Sequence, residues 1–401
     1  MADNRAKLFK TLGVRYLSDG QPIYTTDNKT RLQLERESQE LWKRVRHLQN
    51  LLDHLPPNDS RIVEPISNEE FMKIEDYIHR AAVRVHPTVD GPQFSEAYKF
   101  IEENIIKLAD DWIAPYKNDP QHGEDVANAA LKDGTASGVV TWLLKFPDIA
   151  KLTRYDTQGT LVIRAIIARW LYLEIFSKGL SGTFPHFEAL IDDEFLKRTS
   201  NPKRSILEQR RWFQLTYASM IAHPYYPRAR EIRTEQLANE LQQLFTFLDP
   251  QDLKYEHVLT NIITPAMRLQ EQAALTIQQH SFNFYHLPTD PAEEFLQQFA
   301  GLASKVLVCE DITRASRTIE FGEENQEELA KNVLPICSLG PVITYKDPEK
   351  APTQTTLTLR ALTLCVDEAD TRNAEFLQTT RPGIFYHLLT PFPRHKAASN
   401  I

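Results

Sequence analysis

The chain has few cysteines and few glycines, and it lacks the short motifs by which many enzymes are recognised. Its three cysteines, Cys309, Cys337 and Cys365, cannot all pair internally and form no CxxC. Neither a disulfide framework nor a thiol redox motif is expected, and a reducing intracellular setting, cytoplasmic or nuclear, is the simplest reading. Twelve histidines are scattered without HExxH, HxxxH or a Cys/His cluster, so no metal site and no cofactor are expected. The glycines make no GxGxxG and no GxSxG. Gly134-Thr-Ala-Ser-Gly138 is not a phosphate loop, because it lacks the Gly-Lys-Ser/Thr ending and a strand before it. No apolar run reaches the roughly 20 residues a bilayer requires. The polar start MADNRAKLFK has no apolar signal core, so neither membrane insertion nor secretion is expected.

What is present is an ordinary globular composition: 401 residues, 42% hydrophobic, 25% charged, net charge −8. That length suits two domains, or one large domain with appendages. The acidic balance argues against a protein whose whole surface grips nucleic acid. The densest apolar segment is 160–176, Thr160-LVIRAIIARWLYLEIF, interrupted only by Arg164, Arg169 and Glu174. At about 100° per residue these three charges point in different directions and make no solvated stripe. The segment therefore reads as a central core helix. A charge in such a helix needs a partner, which can be a structural ion pair or a ligand in a polar interior pocket. Arg164, Arg169 and Glu174 are accordingly candidate site residues.

Taken in order, an irregular arm leads to a helix over about 29–55 in which Leu34, Leu41, Leu48 and Leu55 recur every seven residues, with Val45 and Leu52 completing an a/d seam. The seam predicts either a homodimer or an amphipathic helix lying on its own domain. The basic helix of a leucine-zipper DNA reader is missing upstream, where Gly13, Gly20 and Pro22 break continuity, so direct duplex-DNA readout is not expected. Further amphipathic helices follow from Ser67, from Ser95 to Pro115, and over 124–146. Beyond the core helix, helices are expected over 206–222, 233–247, 253–279 (with Pro265 as a kink or break) and 293–309. From 319 the Thr- and Val-rich segments are β-leaning. The predicted fold is mainly α, a large helical bundle around 160–176 with a small β-leaning C-terminal element. Its divisions are 1–58, an arm and heptad helix; 59–318, a helical core; 319–394, a mixed region; and 395–401, a disordered tail.

Between Lys197 and Arg233 nine basic residues face two glutamates, a local +7 in a chain of net −8. Lys197, Arg198, Lys203, Arg204, Arg210, Arg211, Arg228 and Arg230, interleaved with Trp212, Tyr225 and Tyr226, are candidates for binding RNA or another anion, since cations attract phosphates and aromatics stack on bases. The competing reading is a positive helix face balancing acidic neighbours. Asp192, Asp193 and Glu194 suit either an acid/base or magnesium role, or a solvated acidic turn.

The heptads of Leu34–Leu55, the core segment IRAIIARWLYLEIFS, the helix around NIITPAMRLQEQ, and the tail VLPICSLGPVITY followed by LRALTLCVDEA resemble a group of mostly helical filamentous-fungal proteins, some with a leucine-zipper-like N-terminus. The resemblance implies a helical fold and a regulatory or secondary-metabolism setting, and assigns no active residue. A second, more distant likeness is to the arginine-containing cyclodipeptide synthases, which use aminoacyl-tRNA and carry an acidic DDxxE motif. Here Asp192-Asp193-Glu194-Phe195-Leu196 lacks the final Glu, and Asp252-Leu253-Lys254-Tyr255-Glu256 lacks the second Asp. Two function classes follow: a helical regulatory or interaction protein, dimeric through Leu34–Leu55, or a tRNA-dependent enzyme forming a diketopiperazine.

Overall fold

The computed structural model describes residues 89–117, 120–184, 205–249, 251, 253–285, 287, 293–313, 317–322, 326–349, 351–367, 376 and 383–389, all within the unit Met72–Ile401. The heptad segment, Asp192 to Arg204 and the tail from 395 lie outside the described residues.

Helix α1 (Gly91–Ile113) starts at a capping box. Asp90 accepts from the Gln93 main-chain N–H, and the Gln93 side chain accepts from that of Asp90, which satisfies two donors the helix cannot use itself. Phe94, Tyr98, Ile101, Ile105, Leu108 and Trp112, three or four residues apart, are its buried face. Helices α2 (Pro120–Asp133), α3 (Ser137–Lys145) and α4 (Pro147–Leu152) lead to the core helix α5 (Thr160–Leu171), which continues through one π-helical turn, Tyr172–Phe176. Val162, Ile163, Ile166, Ile167 and Leu171 of α5 are fully buried, as its all-round apolarity requires.

Helix α6 (Ile206–Ile221) is followed by α7 (Tyr226–Leu244). Helix α7 begins seven residues before the expected 233 because Pro227 sits in its first turn, where a missing N–H costs nothing. Helix α8 is built from Tyr255–His257, a π-helical stretch Val258–Ile263, and Thr264–Ala274. The widened turn immediately precedes Pro265, whose ring cannot be placed against the carbonyl four residues earlier in a regular α-helix.

The expectation of a helical bundle is overturned. Of the described residues 61% are helical and 16% strand, in two sheets, so the fold is mixed α/β. Strands β1 (Gln279–Asn283), β5 (Val342–Asp347) and β6 (Ala351–Leu359) form an antiparallel sheet in the order β1-β5-β6. Strands β2 (Leu307–Asp311), β3 (Arg317–Ile319), β4 (Val333–Ser338) and β7 (Ala361–Asp367) form a mixed sheet in the order β3-β2-β7-β4, with β2 and β7 parallel. Helices α9 (Glu293–Val306), α10 (Gln326–Asn332) and α11 (Ile384–Leu389) complete the described elements. Strand β1 starts at Gln279, where the expected helix 253–279 ends, and β2 takes up the last three residues of the expected helix 293–309. Helix α9 passes into β2 between Val306 and Leu307 with no Gly or Pro between them, and a short apolar run does not distinguish helix from strand. Pro335, which has no N–H to donate, is tolerated in the edge strand β4, next to a register shift.

The entry to α5 is tightly specified. Gly159 has φ +92°, and a side chain there would meet the ring of Phe385 of α11 at 2.9 Å. Buried Asp156 accepts from the main-chain N–H groups of Gly159 and Val162, both at 2.8 Å. Burial raises the Asp156 carboxyl above its usual range, and the N–H groups pull it back. Replacing Asp156 by Ala leaves these donors buried and unmet. Asp156→Ala is expected to destabilise the protein by about 1–3 kcal/mol in urea unfolding, and Asp156→Asn by less.

Candidate functional site

Each of the three charges of the core helix meets an opposite charge of its own. Arg169, 2% exposed, is ion-paired with Asp148 of α4, 3% exposed. Its guanidinium lies between the rings of Phe146 and Phe284, at 5.1 and 5.4 Å, and Cys337 of β4 donates its thiol to Asp148 over 3.7 Å. Burial, and then Asp148, push that thiol well above its ordinary pKa, so it stays protonated. Arg164 approaches Glu102 of α1 at 3.9 Å. Burial pushes the Glu102 carboxyl up and the Arg164 guanidinium down, and each partly offsets the other. Glu174 accepts from Lys178 and, at 3.2 Å, from Arg233. Of the two partners a charge in this helix can have, these are ion pairs.

The basic stretch, where described, is also mostly matched. Arg211 faces Glu349 at 3.5 Å and Arg228 faces Glu231 at 2.6 Å. Arg230 pairs with Glu271, which also accepts from the Tyr226 hydroxyl at 2.6 Å. Tyr226 is buried and Trp212 packs beside it around Leu180, whereas Tyr225 is exposed. Tyr226 is therefore enclosed, and Trp212 is half-buried against the same cluster. Lys197, Arg198, Lys203, Arg204, Asp192, Asp193 and Glu194 lie outside the described residues.

Arg210 is the exception. Its Nε donates to the carbonyl of Ile277 at 3.3 Å, and its Nη2 to those of Thr276 and Gln278 at 3.0 and 3.1 Å. Among the described residues it meets no carboxylate, and its pKa is lowered to about 10, chiefly by burial. Nη1 makes no hydrogen bond there and is not a buried orphan, so it is the open edge of the group.

Arg210 lines a cavity of about 410 Å³, a size that suits a small molecule. Four elements build it. The end of the core helix supplies Phe176, Ser177, Lys178 and Gly179. One face of α6 supplies Arg210, Phe213 and Tyr217, at i, i+3 and i+7. Helix α8 adds Gln270, Ala273 and Ala274, and β1 adds Gln279, His280 and Phe282. The wall it presents is mostly polar. Gly179 is required here because a side chain would meet the Tyr217 hydroxyl at 2.5 Å. Gln270 donates its amide to the carbonyls of Lys178 and Gly179 at 2.7 and 3.1 Å. Two acceptors facing that end fix the amide's orientation. His280 stacks on Phe94, with centroids 4.4 Å apart. Burial, then Arg210, lower its pKa to about 4, so it is neutral at pH 7.

Sequence reasoning had selected Arg210 as one of a run. Lys178, Gln270 and His280 were missed, because each is unremarkable in its own segment and the four segments meet only in the fold. The Arg210, Phe213, Tyr217 spacing was the one local signal. Among the described residues no cluster of His, Cys, Asp and Glu could hold a metal ion, and no helix is long and apolar enough to cross a membrane.

The Arg169–Asp148 pair generates a stability prediction. Arg169→Met strands a buried carboxylate and is expected to cost about 3–5 kcal/mol in denaturant unfolding, whereas adding Asp148→Leu recovers most of that loss. A double variant no more stable than the single one would show that the charges are not coupled. In comparison with known proteins, no family model, no curated protein and no solved structure matches this chain.

Proposed function

We propose that the protein is a non-catalytic regulatory protein that binds a small anionic ligand in the cavity on Arg210. The carrying observation is a guanidinium in the wall of a polar cavity, held by three main-chain carbonyls and facing no carboxylate among the described residues. Carbonyls orient the cation without neutralising it. An anion supplied from outside would complete the pair in a partly desolvated site, where such contacts are strongest. The pairing of Arg211, Arg228 and Arg230 with glutamates favours this reading over a broad RNA-binding face, which needs cations free for phosphates. A tRNA-dependent synthase therefore has less to recommend it.

The heptads of Leu34, Leu41, Val45, Leu48, Leu52 and Leu55 belong to the same proposal as its output, a homodimer that presents the ligand state to partners in a cytoplasmic or nuclear setting. The pattern of the sequence alone supports this half.

Two measurements test the halves separately. At constant ionic strength, a panel of organic acids and phosphate esters is expected to include anions that raise the melting temperature saturably, by up to about 2.7 kcal/mol of stabilisation at a hundredfold excess over Kd. Arg210→Gln is expected to abolish the effect, and a panel with no saturable binder would end the ligand reading. In light scattering at micromolar concentration the protein is expected to be a dimer, and Leu41→Pro with Leu48→Pro a monomer whose body remains folded. A monomeric wild type would remove the dimer half.

A further inference from the structure

The charges and hydrogen-bonding groups around the cavity narrow the ligand's chemistry. Two cationic side chains line it, Lys178 and Arg210. Lys178 belongs to a closed network: Glu174 pairs with both Lys178 and Arg233, and Arg233 also reaches Glu240 at 3.6 Å. Two cations and two carboxylates make that network neutral. Among the described residues Arg210 is left as one uncompensated positive charge, and neutral His280 adds none. A site with one excess positive charge matches a single negative charge. A phosphate monoester, with close to two at neutral pH, would bring a second charge into the cavity without a partner.

Nε and Nη2 of Arg210 are already committed to Thr276, Ile277 and Gln278, so Nη1 offers a single edge that seats one oxygen of an anion, and charge alone decides between carboxylate and phosphate. Of the wall's remaining polar groups, the oxygens of Gln270 and Ser177 are acceptors, while the Gln279 amide and the neutral His280 ring also carry N–H donors. The amide of Gln270 is turned toward the carbonyls of Lys178 and Gly179, and its oxygen has no partner among the described residues. The Ser177 hydroxyl donates to the Leu173 carbonyl at 2.9 Å, which leaves its oxygen free only to accept. A ligand for this wall brings donors as well as one carboxylate.

Resting on the anion-site reading above, we infer that the cavity takes a small hydroxylated monocarboxylate, its carboxylate on Nη1 of Arg210 and its hydroxyl groups donating to Gln270 and Ser177. Citrate, with several charges, and benzoate, with no hydroxyl, are both poorer matches than a polyhydroxy acid.

The test is titration calorimetry of the full chain at pH 7.5 with three probes of similar size: gluconate, glucose 6-phosphate and sorbitol, with benzoate as the apolar control. Gluconate is expected to bind at least about tenfold more tightly than each of the others, a difference of about 1.4 kcal/mol. Arg210→Lys, which keeps the charge, is expected to weaken gluconate less than Arg210→Gln does, and Gln270→Leu to narrow the margin of gluconate over benzoate. Because the wild-type ranking carries the test, a variant that fails to fold does not remove it. Glucose 6-phosphate or benzoate binding as tightly as gluconate, lost in Arg210→Gln, would overturn the monocarboxylate assignment while leaving the anion site standing. Absence of binding by every anion would remove both.

Discussion

A buried charge must be met inside the protein, and the pair Arg169–Asp148 is where that constraint organises the fold. Arg169 sits on the core helix, Asp148 on the short helix before it, and Cys337 on an edge strand of the mixed sheet contacts the same carboxylate. The helices and the mixed sheet thus meet at a buried polar point. The rings of Phe146 and Phe284 flank the guanidinium, so its flat faces rest on aromatic surface while its edge meets the carboxylate. Such a pair adds little net stability compared with apolar residues of the same volume, but removing either half is costly. It therefore selects one packing arrangement over others that would strand the charge.

The same rule separates structure from function elsewhere in the chain. Arg164, Glu174, Arg211, Arg230 and Arg233 each meet an opposite charge from another element, and so act as ties between helices and loops. Arg210 meets carbonyl oxygens. Carbonyls satisfy donors but carry no net charge. Donors met by carbonyls without the charge being neutralised set Arg210 apart from these ion-paired cations.

The central helix was legible because its apolarity runs all the way round, and only burial accommodates that. The inward face of α1 was equally legible from its spacing of three and four residues. The sheets were not. Strand β1, Gln279–Asn283, alternates poorly and follows α8 after only four residues, and β2 continues α9 without a breaker. What makes Leu307–Asp311 a strand is the parallel partner Ala361–Asp367, more than fifty residues downstream, and hydrogen bonds between strands that far apart leave no trace in a local window. The cavity shows the same division. The face Arg210, Phe213, Tyr217 could be read from helical spacing, but Gln270 and His280 join it only through packing.

Composition and periodicity alone determined that a large core exists, which helix occupies its centre, and that the charges of that helix would need partners. Those properties depend on side-chain chemistry at spacings of a few residues, where the chain's own geometry sets the neighbours. Which partner each charge takes, and that Arg210 meets only carbonyl oxygens among the described residues, was decided by the tertiary structure. Neutralisation depends on distances of three or four ångströms between residues tens to hundreds of positions apart, and only the folded chain sets those distances.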